Sequence, residues 1–240
     1  MKRLDQIYEG KAKKVYKTEK DDLVIVSYKD DATAFNGQKK GTIEGKGAIN
    51  NQLTNHFMKI LERNSIRTQF VEEISKTETI VKKVKIIPLE VIVRNIAAGS
   101  FSKRYGVEEG FVLKTPTLEF SLKNDDLGDP LIGYYHILAL NIASKEEIEK
   151  IKKYSFKINE ILREYLLKFN IKLIDFKLEF GKTEEGEIIL ADEISPDTCR
   201  FWDKDTNEKL DKDRFRRNML KENYGYEEIF KRIFENNSTV

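Results

Sequence analysis

Residues 173–197, LIDFKLEFGKTEEGEIILADEISPD, alternate between apolar and charged positions before a turn and a second apolar run. Ile174, Phe176, Leu178 and Phe180 fall on one side of a period of two, and Asp175, Lys177 and Glu179 on the other. This pattern predicts a half-buried strand whose charges share the face away from the core. With Glu185-Gly186 as a two-residue turn, the second run pairs back and places Glu179 opposite Asp192. Two carboxylates with Cβ atoms roughly 5 Å apart repel. A hard divalent cation holding nucleotide phosphates would turn that repulsion into binding, because Mg²⁺ is commonly held by one or two carboxylates plus phosphate oxygens. A solvated strand face of mixed charge is the alternative, and a one-residue change of register would separate the pair.

Elsewhere the periodicities predict strands at Lys14–Thr18 and Leu23–Tyr28, then a helix carrying Ile49, Leu53, Phe57, Ile60 and Leu61 and stopping at Asn64. Strands follow at 68–74, 79–84 and 89–93, the last two separated by Lys85-Ile86-Ile87-Pro88, where Pro88 should interrupt pairing and mark a hinge between two lobes. The clearest helix begins at Ser144, with Glu147 completing a capping box, and runs to Phe169 behind the 173–197 hairpin. A final amphipathic segment, 211–234, carries Phe215, Met219, Ile229, Phe230 and Ile233, with Gly225 as a break.

Composition narrows the function classes. Of 240 residues 40% are hydrophobic, enough for a substantial core, and Lys+Arg 43 against Asp+Glu 41 leaves no overall positive field for nucleic acid. One cysteine, Cys199, excludes an intrachain disulfide, and with only His56 and His136 beside it a Cys/His zinc site is not expected. A reducing cytoplasm fits, and Leu4-Asp5-Gln6 after Met1-Lys2-Arg3 is no signal peptide. No apolar run reaches the roughly 20 residues that span a bilayer, so no membrane partner is expected.

Two further segments carry polar chemistry. In Glu9-Gly10-Lys11-Ala12-Lys13-Lys14 a glycine and lysines precede a strand, as in a turn lying over phosphates, although an exposed lysine-rich hairpin reads the same way. In 88–100, PLEVIVRNIAAGS, an apolar strand ends at Arg94 and small residues lead to Gly99-Ser100, where a guanidinium, a hydroxyl and backbone N–H groups could hold a phosphate. Ser195-Pro196-Asp197-Thr198-Cys199-Arg200 offers a second guanidinium.

Together, and across essentially the whole chain, these segments resemble the SAICAR synthetase family, most specifically in Pro88-Leu89-Glu90 through Arg94 to Ala98-Gly99-Ser100 and in Leu173-Ile174-Asp175-Phe176-Lys177-Leu178-Glu179-Phe180-Gly181. The resemblance implies an α+β fold of two lobes, a kinase-like N-terminal β lobe over 1–85 and a larger ATP-grasp-like C-terminal α/β lobe over 86–240. It implies a ligase that uses ATP to join L-aspartate to carboxyaminoimidazole ribonucleotide, with Mg²⁺ as cofactor and a cytoplasmic homodimer as the working form. By that likeness Lys11, Ala12 and Lys13 contact ATP phosphates, Ile86 lies by the adenine, and Glu179 and Asp192 hold the metal. Arg94, Ser100 and Arg200 clamp the ribonucleotide phosphate, Glu90 and Asp197 lie in the substrate shell, and Lys177 and Asp175 are the catalytic candidates.

The chain departs from the family pattern at Gly133-Tyr134-Tyr135, where many relatives have Asn and acidic residues, and at Asn36, where some have aspartate. A kinase-like phosphotransferase is a competing reading, opposed by the lack of His-Arg-Asp and Asp-Phe-Gly sequences. An RNA-binding module, suggested by Lys82-Lys83, is opposed by near-zero net charge.

Overall fold

A computed structural model describes residues 1–34 and 37–235; Asn36 lies outside the described residues. In chain order the elements are β1 (Gln6–Glu9), β2 (Lys13–Lys17), β3 (Leu23–Tyr28), β4 (Asp31–Ala34), β5 (Lys39–Thr42), α1 (Lys46–Arg63), β6 (Phe70–Glu73), β7 (Glu78–Lys82), β8 (Lys85–Ile96) and α2 (Gly99–Tyr105). They continue with β9 (Val112–Leu122), α3 (Tyr134–Ala139), α4 (Lys145–Leu167), β10 (Ile171–Lys182), β11 (Ile188–Ala191), β12 (Cys199–Asp203), α5 (Asp213–Arg216) and α6 (Tyr224–Phe234). This is a mixed α/β architecture. One sheet has the order β1-β2-β3-β7-β6, and a second has β11-β10-β8-β9 with β12 also paired to β10.

β10 is the central strand because its apolar side chains meet helices and sheet neighbours at once. Phe176, Leu178 and Phe180 join Val91 and Val93 of β8, Ile151 and Ile158 of α4, and Phe57 of α1 in one continuous core. The helix predicted behind the hairpin is there, and both bonds of its capping box form: Ser144 N donates to Glu147 Oε2 at 2.8 Å and Glu147 N to Ser144 Oγ at 3.2 Å. For α1 the cap comes from far away in sequence. Asp30 accepts from Gly45 N at 3.0 Å and from Gly47 N at 2.8 Å, so the helix starts three residues before its first apolar position.

Four expectations need correction. Pro88 lies inside a strand rather than between two: β8 runs through it, and the irregular pairing expected at Pro88 is a bulge in β8 itself, where Glu90 faces Glu179 and Ile86 faces Gly181. Ile174 leaves the alternation, since a bulge between Leu173 and Asp175 turns Leu173 to the main core and Ile174 to Ala98 and Trp202. The hairpin turn has three residues rather than two. Gly186 N donates to Thr183 O at 3.0 Å and Thr183 N to Glu187 O at 2.9 Å, with Gly186 at φ +80°, the arrangement of a tight turn closed by a left-handed residue. Glu179 therefore pairs with Ala191, not Asp192. Finally, the 211–234 segment is broken, but over 217–223 rather than at Gly225, which is the second residue of α6.

Gly225 is required by close approach, because a Cβ there would lie 2.8 Å from Leu210 C and 2.9 Å from Asp211 N. Backbone cannot yield as a flexible side chain can, so Gly225→Ala should destabilise by about 1–3 kcal/mol. Thermal unfolding is the check: a fall in Tm of roughly 2–4 °C per kcal/mol is expected, and an unchanged Tm would contradict the packing described.

Candidate functional site

β11 leaves the edge of β10 after Ala191 and β12 joins the same edge at Cys199, leaving 192–198 as a loop beside the middle of β10. Lys177 N donates to Thr198 O at 2.8 Å and anchors that loop. Asp192 takes φ 57°, a left-handed conformation unusual for a residue with a Cβ, and so leaves the β11 alternation. The register places it one residue past Glu179, yet Lys177 joins the two: its Nζ lies 2.5 Å from Glu179 Oε1, 3.1 Å from Asp192 Oδ2 and 3.5 Å from Glu90 Oε1.

Two more lysines enter from other elements. Lys13, on β2 of the first sheet, pairs with Asp192 and lies 2.9 Å from Glu193 Oε1. Lys123, just past β9, lies 2.9 Å from Glu179 Oε1. The charged face predicted for β10 is thus no solvated surface, since the Glu179 side chain is only 5% exposed. At Lys13, Lys177 and Asp192 burial disfavours the charge and the partners reverse it. Burial presses the Lys13 pKa down, but Asp192 and Glu193 hold it well above the usual lysine range. The same holds for Lys177 among Glu179, Asp192 and Glu90. Asp192 is held far below the usual carboxylate range by Lys13 and Lys177 despite its burial. Glu90 is the exception: burial pushes its carboxyl up against the opposing pull of Lys177.

Next along β10, Asp175 receives both predicted arginines. Arg94 Nη1 donates to its Oδ2 at 2.6 Å, and Arg200 Nη1 reaches both its oxygens at 3.0 Å. Arg94 Nη2 donates to Ser100 Oγ at 3.2 Å, so Arg94, Ser100, Arg200 and Asp175 form one group. Gly99, at φ +55°, has its open side filled by the Arg200 guanidinium; a Cβ there would collide with it. Arg94, Ser100, Arg104 and Asp129 line a cleft of about 480 Å³ that also reaches Glu90, the carboxylate 3.5 Å from Lys177 Nζ.

The other predicted residues lie apart. Asp197 is held by the fully buried Lys46 at 2.8 Å and by the Tyr226 hydroxyl, which donates at 2.6 Å. Burial would raise its pKa, but Lys212 and Lys46 keep it below the ordinary range. Lys11, in the β1–β2 turn, makes an exposed pair with Asp125 at 2.6 Å, and Ala12 O accepts from Lys29 N at 2.8 Å. Ile86, at the start of β8, is 37% exposed, an apolar side chain left open on a strand end. Tyr134 packs on the core while Tyr135 is 80% exposed. Sequence reasoning missed Lys46, Glu119, Lys123, Glu193 and Asp213. Only Glu193 carried a local signal, as a second acid inside a run otherwise fit for burial.

Among the described residues no three His, Cys, Asp or Glu side chains form a closed metal cage. Glu179 and Asp192, both in contact with Lys177 Nζ, carry the hard carboxylate oxygens that a Mg²⁺–nucleotide would require.

Comparison with known proteins agrees with this geometry. A family model described as SAICAR synthetase matches residues 6–233. The phosphoribosylaminoimidazole-succinocarboxamide synthase of Finegoldia magna is 59% identical over 230 residues, which is 96% of this chain and 99% of that protein. Among solved structures, a phosphoribosylaminoimidazole-succinocarboxamide synthase from Ehrlichia chaffeensis superposes with a TM-score of 0.94 at 47% identity, covering 95% of this chain and 98% of the other. A SAICAR synthetase in complex with ADP superposes with a TM-score of 0.93 at 50% identity, covering 96% and 98%. Matched nearly end to end by these relatives and by the family model, the chain belongs to the SAICAR synthetase family.

Proposed function

We propose that the two charge groups on β10 divide between them this chain's reaction, the ATP-dependent ligation of L-aspartate to carboxyaminoimidazole ribonucleotide that yields SAICAR, ADP and phosphate. The observation that carries the division is the sequence of contacts along one strand: Asp175 with two arginines, then Lys177 and Glu179 with three further carboxylates and two further lysines. In this reading the sheet holding β1–β3 is the kinase-like lobe over 1–85, and the remainder, over 86–240, is the ATP-grasp-like lobe. Nucleotide binding is supported by the similar synthetase solved with ADP. Lys11 and the backbone at Ala12 face the phosphates with Lys13, and the exposed Ile86 meets the adenine.

Charge balance explains why a cation belongs to this site. Four carboxylates, Glu90, Glu179, Asp192 and Glu193, meet three ammonium groups, Lys13, Lys123 and Lys177. An incoming triphosphate competes for those ammoniums, and each carboxylate it strips is left buried and unpaired, a costly state. Mg²⁺ bound at Glu179 and Asp192 supplies charge neutralisation for the transferring phosphoryl group. The chain's own residues do the rest. Arg94, Ser100 and Arg200 seat the ribonucleotide phosphate, while Glu90 and Lys177 flank the imidazole carboxylate as Asp175 holds the arginines. Lys177 stabilises the charge that develops as the imidazole carboxylate oxygen attacks the terminal phosphate and the bond to the departing ADP breaks. The amino group of L-aspartate then displaces phosphate from the acyl phosphate. Holding these partners in attack geometry can account for roughly 7–11 kcal/mol of barrier. Asp197, fixed by Lys46 and Tyr226, shapes the substrate side. No helix among the described residues is long and apolar enough to cross a membrane; a cytoplasmic homodimer completes the reading.

ADP release should require both the ribonucleotide and L-aspartate. L-alanine should support far less turnover, since donors meant for the second carboxylate would stay unpaired. Comparable turnover with alanine, or ADP release indifferent to the amino acid, would overturn the assignment of substrate. Glu179→Gln and Asp192→Asn should each raise the Mg²⁺ concentration for half-maximal activity by at least roughly tenfold, with partial recovery at high Mg²⁺. A wild-type Mg²⁺ dependence in both variants would remove these residues from the metal site.

A further inference from the structure

The arginine pair is held by more than Asp175. Arg94 Nε donates to Glu119 Oε2 at 2.9 Å, and Arg200 Nε donates to Asp213 Oδ2 at 2.9 Å. With Nη1 of each on Asp175, both guanidiniums have two of their three nitrogens fixed by carboxylates. The third nitrogen of each points to one place. Arg94 Nη2 reaches Ser100 Oγ at 3.2 Å, and the Arg200 guanidinium fills the space beside Gly99, with Nη2 its nearest atom.

We propose that Glu119 and Asp213 are positioning residues that lock the two guanidiniums so that their Nη2 groups converge on Gly99-Ser100 as a seat for a phosphate monoester. The inference rests on the reading above that Arg94, Ser100 and Arg200 hold the ribonucleotide phosphate. An unrestrained arginine has many rotamers that a ligand must freeze out, and a guanidinium already fixed on two sides meets its ligand with that ordering done.

Local structure suits this role. Glu119 on β9 pairs with Ile92 on β8, so it is the diagonal neighbour of Arg94 on the same face. Asp213 is fixed in turn by Asp211, which accepts from Asp213 N at 2.7 Å and from Phe201 N at 2.9 Å, tying the start of α5 to the strand that carries Arg200. The acids orient without cancelling the attraction for an anion. Glu119 is shared with Arg104 at 2.6 Å, and Asp213 with Arg216 at 2.6 Å and Arg217 at 3.6 Å, so neither acid is spent on its clamp arginine alone.

The test compares wild type, Glu119→Gln, Asp213→Asn and Arg94→Lys for kcat/KM on the ribonucleotide and on its dephosphorylated nucleoside, with ATP and L-aspartate saturating. Loss of positioning should raise KM for the ribonucleotide on the order of tenfold. The ribonucleotide-to-nucleoside preference should fall by the same factor, leaving KM for ATP and activity on the nucleoside near wild type. A purely structural role would lower activity on both substrates together and leave the preference intact, and that result would overturn the proposal. If Arg94→Lys reduces the preference while the two acid variants do not, the clamp stands and the positioning role fails. If Arg94→Lys also leaves the preference unchanged, the clamp reading fails and this inference with it. Should Asp213→Asn not fold, Glu119→Gln beside the cleft decides the matter alone.

Discussion

A charged side chain on the inner face of a central strand loses its hydration, and only an opposite charge within hydrogen-bonding distance offsets that loss. Lys177 answers this constraint for the loop after β11. Its ammonium draws Glu179, Asp192 and Glu90 together from three stretches of chain. Lys13 then ties the first sheet to Asp192, and Lys123 ties the segment after β9 to Glu179. The left-handed backbone at Asp192 becomes intelligible in this light, since the regular alternation would have sent its carboxylate away from both lysines.

The alternation of β10 also sets the spacing of the chemistry. Asp175, Lys177 and Glu179 stand on one face at intervals of two residues, a run of about 13 Å at strand rise. The arginine group sits at one end and the lysine–carboxylate cluster at the other, and the neighbouring cleft is lined by Arg94 of the first and Glu90 of the second. A rigid strand thereby orders two binding functions that would be hard to align on loops. Asp175 and Lys177 look alike in the sequence as charges on an exposed face, but the first orients cations and the second gathers anions.

Much of this was legible in the pattern of residues, and the failures have physical causes. The period of two located β10 and its charged face, and Ser144 with Glu147 located the start of α4, because both signals are local. The turn was not legible, since Glu184-Glu185-Gly186 fits a two-residue or a three-residue connection, and that single residue decides whether Glu179 faces Asp192 or Ala191. Lys46, Glu119 and Asp213 escaped because nothing local distinguishes them from solvated charge. Their partners are 151, 25 and 13 residues away. At Pro88 the local rule found the interruption of pairing but not the continuity of the strand, because β8 absorbs the proline in a bulge and runs on.

The central claim is that the charges on β10 are stable because each balances another, and a double-mutant cycle on unfolding free energy tests it most directly. Lys177→Met removes the ammonium shared by Glu179, Asp192 and Glu90, and Glu179→Gln removes the nearest carboxylate of Lys177, while the pair of changes removes both halves of that contact. The account predicts that the double variant is more stable than the sum of the singles by about 1 kcal/mol or more. Strict additivity, with either single change costing no more than an exposed ion pair, would contradict it.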